Sequence, residues 1–212
     1  MEAARAAGLS VGDYVDTVMN KVPGSSQGTI DKMAAVGVFS EPLAAIVEIG
    51  PGTGRYLEKT VKAARPSRYE IYETAGPWAS YLASEYNTIL QPTDGYSLAG
   101  TGDASVDLVH AHKVFSTVPF MVTSCYLREM VRVIRPGGWA VFDVVTERCL
   151  DPDAFQAWVR SGIRNGSYPA VFPRSVLETF FASSGFDLAG SFVVPMKPGT
   201  TELLVFKRTR LP

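Results

Sequence analysis

The sequence predicts an α/β domain built on a mostly parallel sheet, and three observations carry that prediction. Short apolar runs of strand length alternate with longer runs of helical spacing through the middle of the chain. One of the short runs ends in a glycine-rich segment that leads straight into a helical run, the local pattern of a doubly wound sheet. Near the end, two apolar runs are joined by only five residues, which suits a hairpin and is too short for a helical crossover.

The elements follow in order. Ala45 to Ile49 is a compact apolar strand. Arg55 to Ala64 reads as a helix, with Tyr56, Leu57, Thr60 and Val61 at helical spacing, and Pro66 stops it. Tyr69 to Glu73 is a second strand, and Pro77 suits the first turn of a helix covering Trp78 to Tyr86. Thr88 to Leu90 is a brief third strand before the turn-rich Pro92-Thr93-Asp94-Gly95. Val106 to Ala111 is a fourth strand. A helix from about Thr123 to Ile134 carries Leu127, Met130, Val131 and Ile134 on one face, and Arg135-Pro136-Gly137-Gly138 is expected to end it. Trp139 to Val145 is a fifth strand, nearly all apolar as a strand covered on both faces should be. Asp151 to Ile163 and Arg174 to Ser184 read as helices, the second ended by Gly185. Val193 and Val194 then pair antiparallel with Glu202 to Lys207 through Pro195-Met196-Lys197-Pro198-Gly199. Residues 1–44 read as helices around the loop Pro23-Gly24-Ser25-Ser26, a helical extension and candidate lid appended to the domain 45–212.

Composition narrows the partners. A chain of 212 residues with 46% hydrophobic and 19% charged residues buries one good-sized core. Its net charge is −1 and it contains no basic run, so electrostatics nominates neither nucleic acid nor anionic lipid. Cys125 and Cys149 are too few for a disulfide framework, and His110 and His112 sit too close together to complete a familiar zinc pattern. With no signal peptide and no stretch of about 18 uninterrupted apolar residues, the expectation is a reduced, cytoplasmic protein with no membrane partner.

The chemistry gathers at the strand ends. Gly50, Gly52 and Gly54 let a ligand approach the backbone and aim a helix N-terminus at it. Glu73 ends the second strand 23 positions after Gly50, where a doubly wound sheet sets a carboxylate against a ribose diol. Glu48 is an acid inside an apolar strand and calls for a cation or hydrogen-bond donors. A dinucleotide-binding reading requires its third glycine one step later, and position 55 is Arg.

Val47-Glu48-Ile49-Gly50-Pro51-Gly52-Thr53-Gly54 resembles the first motif of the class I S-adenosylmethionine-dependent methyltransferase family. Glu73, Asp94-Gly95, the strand Val106-Asp107-Leu108-Val109-His110-Ala111-His112, and Arg135-Pro136-Gly137-Gly138 continue the resemblance in order, from about residue 44 to 208. It implies a Rossmann-like seven-stranded, mostly parallel sheet with an antiparallel final strand and helices on both faces. It also implies S-adenosylmethionine as cofactor, its methionine part against Gly50, Gly52 and Gly54 with Glu48 near the ammonium. Glu73 is then the ribose acid, Asp94 the acceptor from the adenine amino group, and Gly95 and Tyr96 backbone contacts. His112 falls beside the transferring methyl.

An oxygen acceptor of alcohol type must lose a proton, which calls for a general base. His112 is the first candidate and His110, on the same face of the strand, the second. Asp143 and Glu147 are placed to orient a histidine or meet the acceptor. Metal-dependent members of the family have an Asp at the end of the fourth strand and an Asp-Asn pair after the fifth, where this chain has His112 and the run Asp143-Val144-Val145-Thr146-Glu147, so no metal is expected. The expected acceptor walls are the N-terminal helices with Tyr14, the segment Phe115 to Phe120, and the insert 151–175 with Trp158, Arg164, Asn165, Tyr168 and Phe172. Lys113-Val114-Phe115-Ser116 stands where amino-directed DNA and protein enzymes have an Asn-Pro-Pro-Tyr-like motif. The expectation is O-methylation of a small molecule, a sugar or natural-product intermediate. N-methylation and a cofactor-binding protein without turnover are the alternatives.

Overall fold

The computed structural model describes residues 1–165, 169–196 and 199–210. The N-terminal segment forms helices α1 (Glu2–Ala6) and α2 (Val11–Tyr14), a π-helical turn (Val15–Met19), and α3 (Ser25–Val36). The sheet and its crossovers follow as β1 (Ala45–Ile49), α4 (Arg55–Ala64), β2 (Arg68–Tyr72), α5 (Gly76–Tyr86), β3 (Ile89–Leu90), β4 (Val106–Ala111), α6 (Phe120–Val133) and β5 (Ile134–Val144). Then come α7 (Pro152–Asn165), α8 (Arg174–Ser183), β6 (Phe186–Pro195) and β7 (Thr200–Arg208).

The seven strands make one sheet in the order β3-β2-β1-β4-β5-β7-β6. β7 alone runs antiparallel, against both β5 and β6, while the other pairs are parallel. Alternate residues of the central strands feed two cores. Val47, Ile49, Val109 and Phe142 pack with Leu127 and Met130 of α6 and Phe181 of α8. On the opposite face, Ile46, Ile71, Leu108 and Val141 pack with Met33 of α3, Leu57 of α4 and Leu82 of α5. Helices therefore cover both faces, as expected for a sheet whose central strands are apolar throughout.

Two local expectations are corrected. Arg135-Pro136-Gly137-Gly138 does not follow the helix as a separate turn but lies inside the first part of β5, between the register pairs Val106–Ile134 and Leu108–Trp139. The ladder shifts register there, and Gly138 comes so close to the carbonyl of Asp107 that a Cβ would lie 2.8 Å from it. Ser25 and Ser26 are not loop residues but open α3, after Gly24 turns the chain in the left-handed region. α3 packs in the helical layer, with Ile30 and Met33 buried in one cluster with Leu57 and Leu82. Among the described residues no helix is long and apolar enough to cross a membrane.

Candidate active site

β1 delivers the chain to the glycine segment at the carboxyl edge of the sheet, and α4 starts immediately after it. Two of its glycines are held by neighbours: a Cβ on Gly50 would lie 2.7 Å from Val114 Cγ2, and one on Gly54 2.5 Å from Leu82 Cδ2. Gly52 differs. It also takes a left-handed φ (+55°), yet a Cβ there would meet nothing within 4 Å. The space beyond it belongs to a cavity of about 620 Å³.

The near wall of the cavity is Gly50-Pro51-Gly52-Thr53 with Arg55 and Tyr56, the first residues of α4. The far wall comes from the N-terminal segment through Val15, Asn20, Val22 and Ser25. That segment is pinned to α4. Asp16, fully buried, binds Arg55 Nη1 at 3.0 Å and accepts from the backbone N and Oγ of Ser26 at 2.8 and 2.6 Å. Lys59 reaches Asp13 at 2.7 Å, Ser10 donates to Glu58 at 2.7 Å, and Gly12 sits so close that a Cβ would lie 2.7 Å from Arg55 Cα. The π-helical turn that carries Asp16 is a rare conformation, of a kind that gathers at functional sites.

The end of β4 supplies the third wall: His112, Lys113, Ser116 and Thr117. Lys113 holds a left-handed φ of +62° without being glycine. Asp143 explains it, because one oxygen accepts the Lys113 backbone N at 2.6 Å and the other meets its Nζ at 3.0 Å. Thr201 closes the knot, accepting from Nζ and donating to the same carboxylate, both at 2.5 Å. His112 stacks on Tyr56 with ring centroids 4.1 Å apart. Burial lowers its pKa to about 3, helped by the charges of Lys113 and Arg55, so the imidazole is neutral near pH 7. His112 Nε2 and Ser116 Oγ are both buried without a hydrogen-bond partner, an arrangement that costs about 1–3 kcal/mol for each group. Trp158, Pro169, Pro195 and Met196 complete the rim.

Beneath α4, a polar cluster is sealed in the core. Tyr69 Oη lies 2.7 Å from Glu48 Oε2 and 2.7 Å from His110 Nε2. Burial raises the Glu48 pKa to about 8 despite the Tyr69 hydrogen bond, with a smaller upward push from Glu73. Burial, with His112 next to it, holds the His110 pKa well below its ordinary value. Glu73 uses its oxygens on the loops, accepting from Gly52 N at 2.7 Å and Ala75 N at 2.8 Å. Asp94 is exposed and folds its own turn, accepting from the backbone of Tyr96 and Ser97 and from the Ser97 hydroxyl. Gly95 lies against Thr74, just beyond Glu73.

Of the residues singled out in the sequence, Gly50, Gly52 and His112 line the cavity. Gly54 shapes the start of α4 against Leu82, and Glu73, Asp94, Gly95 and Tyr96 stand outside the cavity wall. Glu48 and His110 pair with Tyr69 inside the core and do not line the cavity. Asp143 orients Lys113, not a histidine. Tyr14 yields its expected place to its neighbour Val15, and Phe172 packs in the core and stacks on Phe120 beside a separate small groove. The side chains of Arg164 and Asn165, and Tyr168 as a whole, lie outside the described residues. The sequence does not mark Arg55, Tyr56 and Lys113 as wall residues; the only signal for them is that Arg55 and Tyr56 follow the glycine segment and Lys113 follows His112. Among the described residues no group of three or more His, Cys, Asp or Glu side chains is placed to hold a metal ion.

A family model described as a methyltransferase domain matches residues 27–189, starting within α3. Several solved structures share the fold. An O-methyltransferase family protein from Burkholderia thailandensis superposes with a TM-score of 0.63 at 14% identity, over 87% of this chain and 56% of that one. The magnesium protoporphyrin IX methyltransferase from Synechocystis PCC 6803, solved with bound S-adenosylhomocysteine, gives 0.65 at 12% identity, over 87% and 82% of the two chains. An N-methyltransferase from Bradyrhizobium japonicum WM9, in complex with S-adenosylhomocysteine, gives 0.63 at 14% identity, over 87% of each chain. At these identities the likeness is one of fold, and this chain spans little more than half the length of the first. No curated protein matches the chain.

Proposed function

The chain belongs to the S-adenosylmethionine-dependent methyltransferase family, and from that premise we propose that it methylates an oxygen of a small molecule held in the 620 Å³ cavity. The observation that carries this reading is where the cavity lies. It opens onto Gly52, where a Cβ would meet nothing within 4 Å, and it is also lined by His112 and Ser116, each of which carries a buried polar atom without a hydrogen-bond partner.

These residues fit the cofactor. Gly50 and Gly52 line the cavity without a side chain and would pack against the methionine part, and Arg55 at the start of α4 would meet its carboxylate. Glu73 retains lone pairs for a ribose diol beyond the two backbone bonds it already accepts. Asp94, with Gly95 and Tyr96, takes the adenine. When bound, S-adenosylmethionine supplies a methyl group already activated on a sulfonium, so the protein's contribution is alignment and exclusion of water.

His112 acts in its neutral form. With a pKa of about 3 it is a weak base, and its role is to accept a hydrogen bond from the acceptor hydroxyl rather than to store its proton. His110 stays in the core as a partner of Tyr69. The N-terminal segment, pinned to α4, supplies a wall of the cavity through Val15, Asn20, Val22 and Ser25.

Calorimetric titration with S-adenosylmethionine and S-adenosylhomocysteine, with NADH as control, tests the cofactor half. Saturable binding of the two sulfur ligands alone is expected, and binding of NADH or of none overturns the reading. In single-turnover assays on an acceptor found by screening phenols and sugars, His112→Ala should lower the rate more than tenfold with cofactor affinity intact. An unchanged rate removes His112 from the chemistry.

A further inference from the structure

Lys113 stands out among the cavity residues because the fold goes to unusual lengths to place it. Its backbone is held in a left-handed conformation that costs a non-glycine residue about 1–3 kcal/mol. A buried carboxylate grips it at both ends, and Thr201, brought from 88 positions away, fixes its ammonium. An ammonium has three N–H donors; here two are directed at Asp143 and Thr201, and the third is left for a ligand.

The surroundings set the sign of that ligand's charge. Among the described residues Arg55 and Lys113 are the only ionised side chains that line the cavity, and no Asp or Glu does. Asp16 and Asp143 stand behind these cations, buried, with both oxygens of each already accepting protein donors. Each pair therefore presents its positive end to the cavity. The remaining wall includes the Trp158 indole and the apolar side chains Val15, Val22, Pro169, Pro195 and Met196, which suits a flat body, while the Tyr56 ring is already stacked on His112.

We infer that Lys113 is an anion subsite and that the acceptor is a flat small molecule bearing a carboxylate, which Lys113 pairs while its hydroxyl lies at the His112 wall. An amine acceptor is disfavoured in the same place, because a cation there faces the Lys113 ammonium across a partly desolvated space. The inference rests on the proposed methyl-transfer reading, in which Arg55 is engaged by the cofactor.

The test uses the full chain saturated with S-adenosylhomocysteine and titrated calorimetrically with 4-hydroxybenzoate, 4-hydroxybenzamide and 4-hydroxybenzylamine. The carboxylate should bind about tenfold or more tighter than the amide, as a charge-assisted hydrogen bond warrants, and the amine weakest of all. That preference should vanish in Lys113→Gln and survive in Lys113→Arg, with S-adenosylhomocysteine affinity unchanged in both. Equal affinity for carboxylate and amide, no binding of any of the three, or a preference that persists in Lys113→Gln overturns the inference. So does a loss of S-adenosylhomocysteine affinity in Lys113→Gln, which would assign the lysine to the cofactor. If the unaltered protein fails to bind S-adenosylhomocysteine, the proposed function itself falls, a result distinct from the others.

Discussion

The two ends of the candidate site are built in opposite ways. The Asp94 turn is local and wet: Asp94 is exposed and bonded within its own turn, to residues two and three positions away. The cavity end is buried and non-local. Its cations are placed by Asp16, 39 positions from Arg55, and by Asp143 and Thr201, 30 and 88 positions from Lys113. A local turn survives many substitutions around it, whereas a wall assembled from distant segments is only as sound as each buried pair. On the proposed reading, specificity for the acceptor is tied to stability, and recognition of the adenine by the Asp94 turn is not.

The same substitution at both ends breaks or confirms that contrast. Asp16→Ala should be the most damaging, because it strands Arg55 and the Ser26 donors in a buried setting. A loss of about 3–5 kcal/mol is expected in denaturant unfolding. If the loss stays below about 1 kcal/mol, the N-terminal segment is not a fixed wall.

The glycines sharpen the contrast further. Gly54→Ala meets Leu82 as well as an unfavourable φ, and should cost about 1–3 kcal/mol of stability. Gly52→Val pays only the conformational penalty but intrudes on the cavity, so S-adenosylhomocysteine affinity should fall at least about tenfold in a folded protein. Undiminished affinity would move the cofactor elsewhere.

Between the two ends, the sealed cluster beneath α4 predicts a pH dependence. Glu48 has a folded pKa of about 8 against its ordinary 4.5, so the folded state holds the extra proton between those values. Stability contributed by that carboxyl is present below about pH 4.5 and lost as pH rises towards 8. His112 acts in the other direction: folded near 3 and ordinarily 6.5, it costs stability as pH falls from 6.5. Glu48→Gln keeps a partner for Tyr69 and removes the ionisation. It should be more stable than the unaltered protein at pH 8 by about 1 kcal/mol or more, the worth of a single pKa unit. Thermal unfolding at pH 5 and pH 8 checks this, and an unaltered slope would mean that Glu48 ionises freely in the fold.

Asp94→Ala should have the smallest effect on the fold, less than about 1 kcal/mol, because its turn is exposed. Cofactor affinity should nonetheless drop several-fold, and an unchanged dissociation constant would detach Asp94 from the adenine.

Much of this protein was determined by its sequence alone. The strand Ala45–Ile49, the helix Arg55–Ala64 and the strand Val106–Ala111 agree with the structure end to end, because apolar period and stop residues act over a few positions. The left-handed glycines and the antiparallel finish are local in the same sense, being set by φ and by the length of a connection. Tertiary structure alone decided which acids and histidines reach the cavity. His110 and His112 share a strand face two residues apart, yet Tyr69 captures one in the core while Tyr56 stacks the other at the wall. Glu48 and Asp143 look alike as acids in apolar strands, but one meets a tyrosine and the other a lysine. Those assignments depend on desolvation and on partners drawn from other strands and helices, so no local reading of the chain contains them.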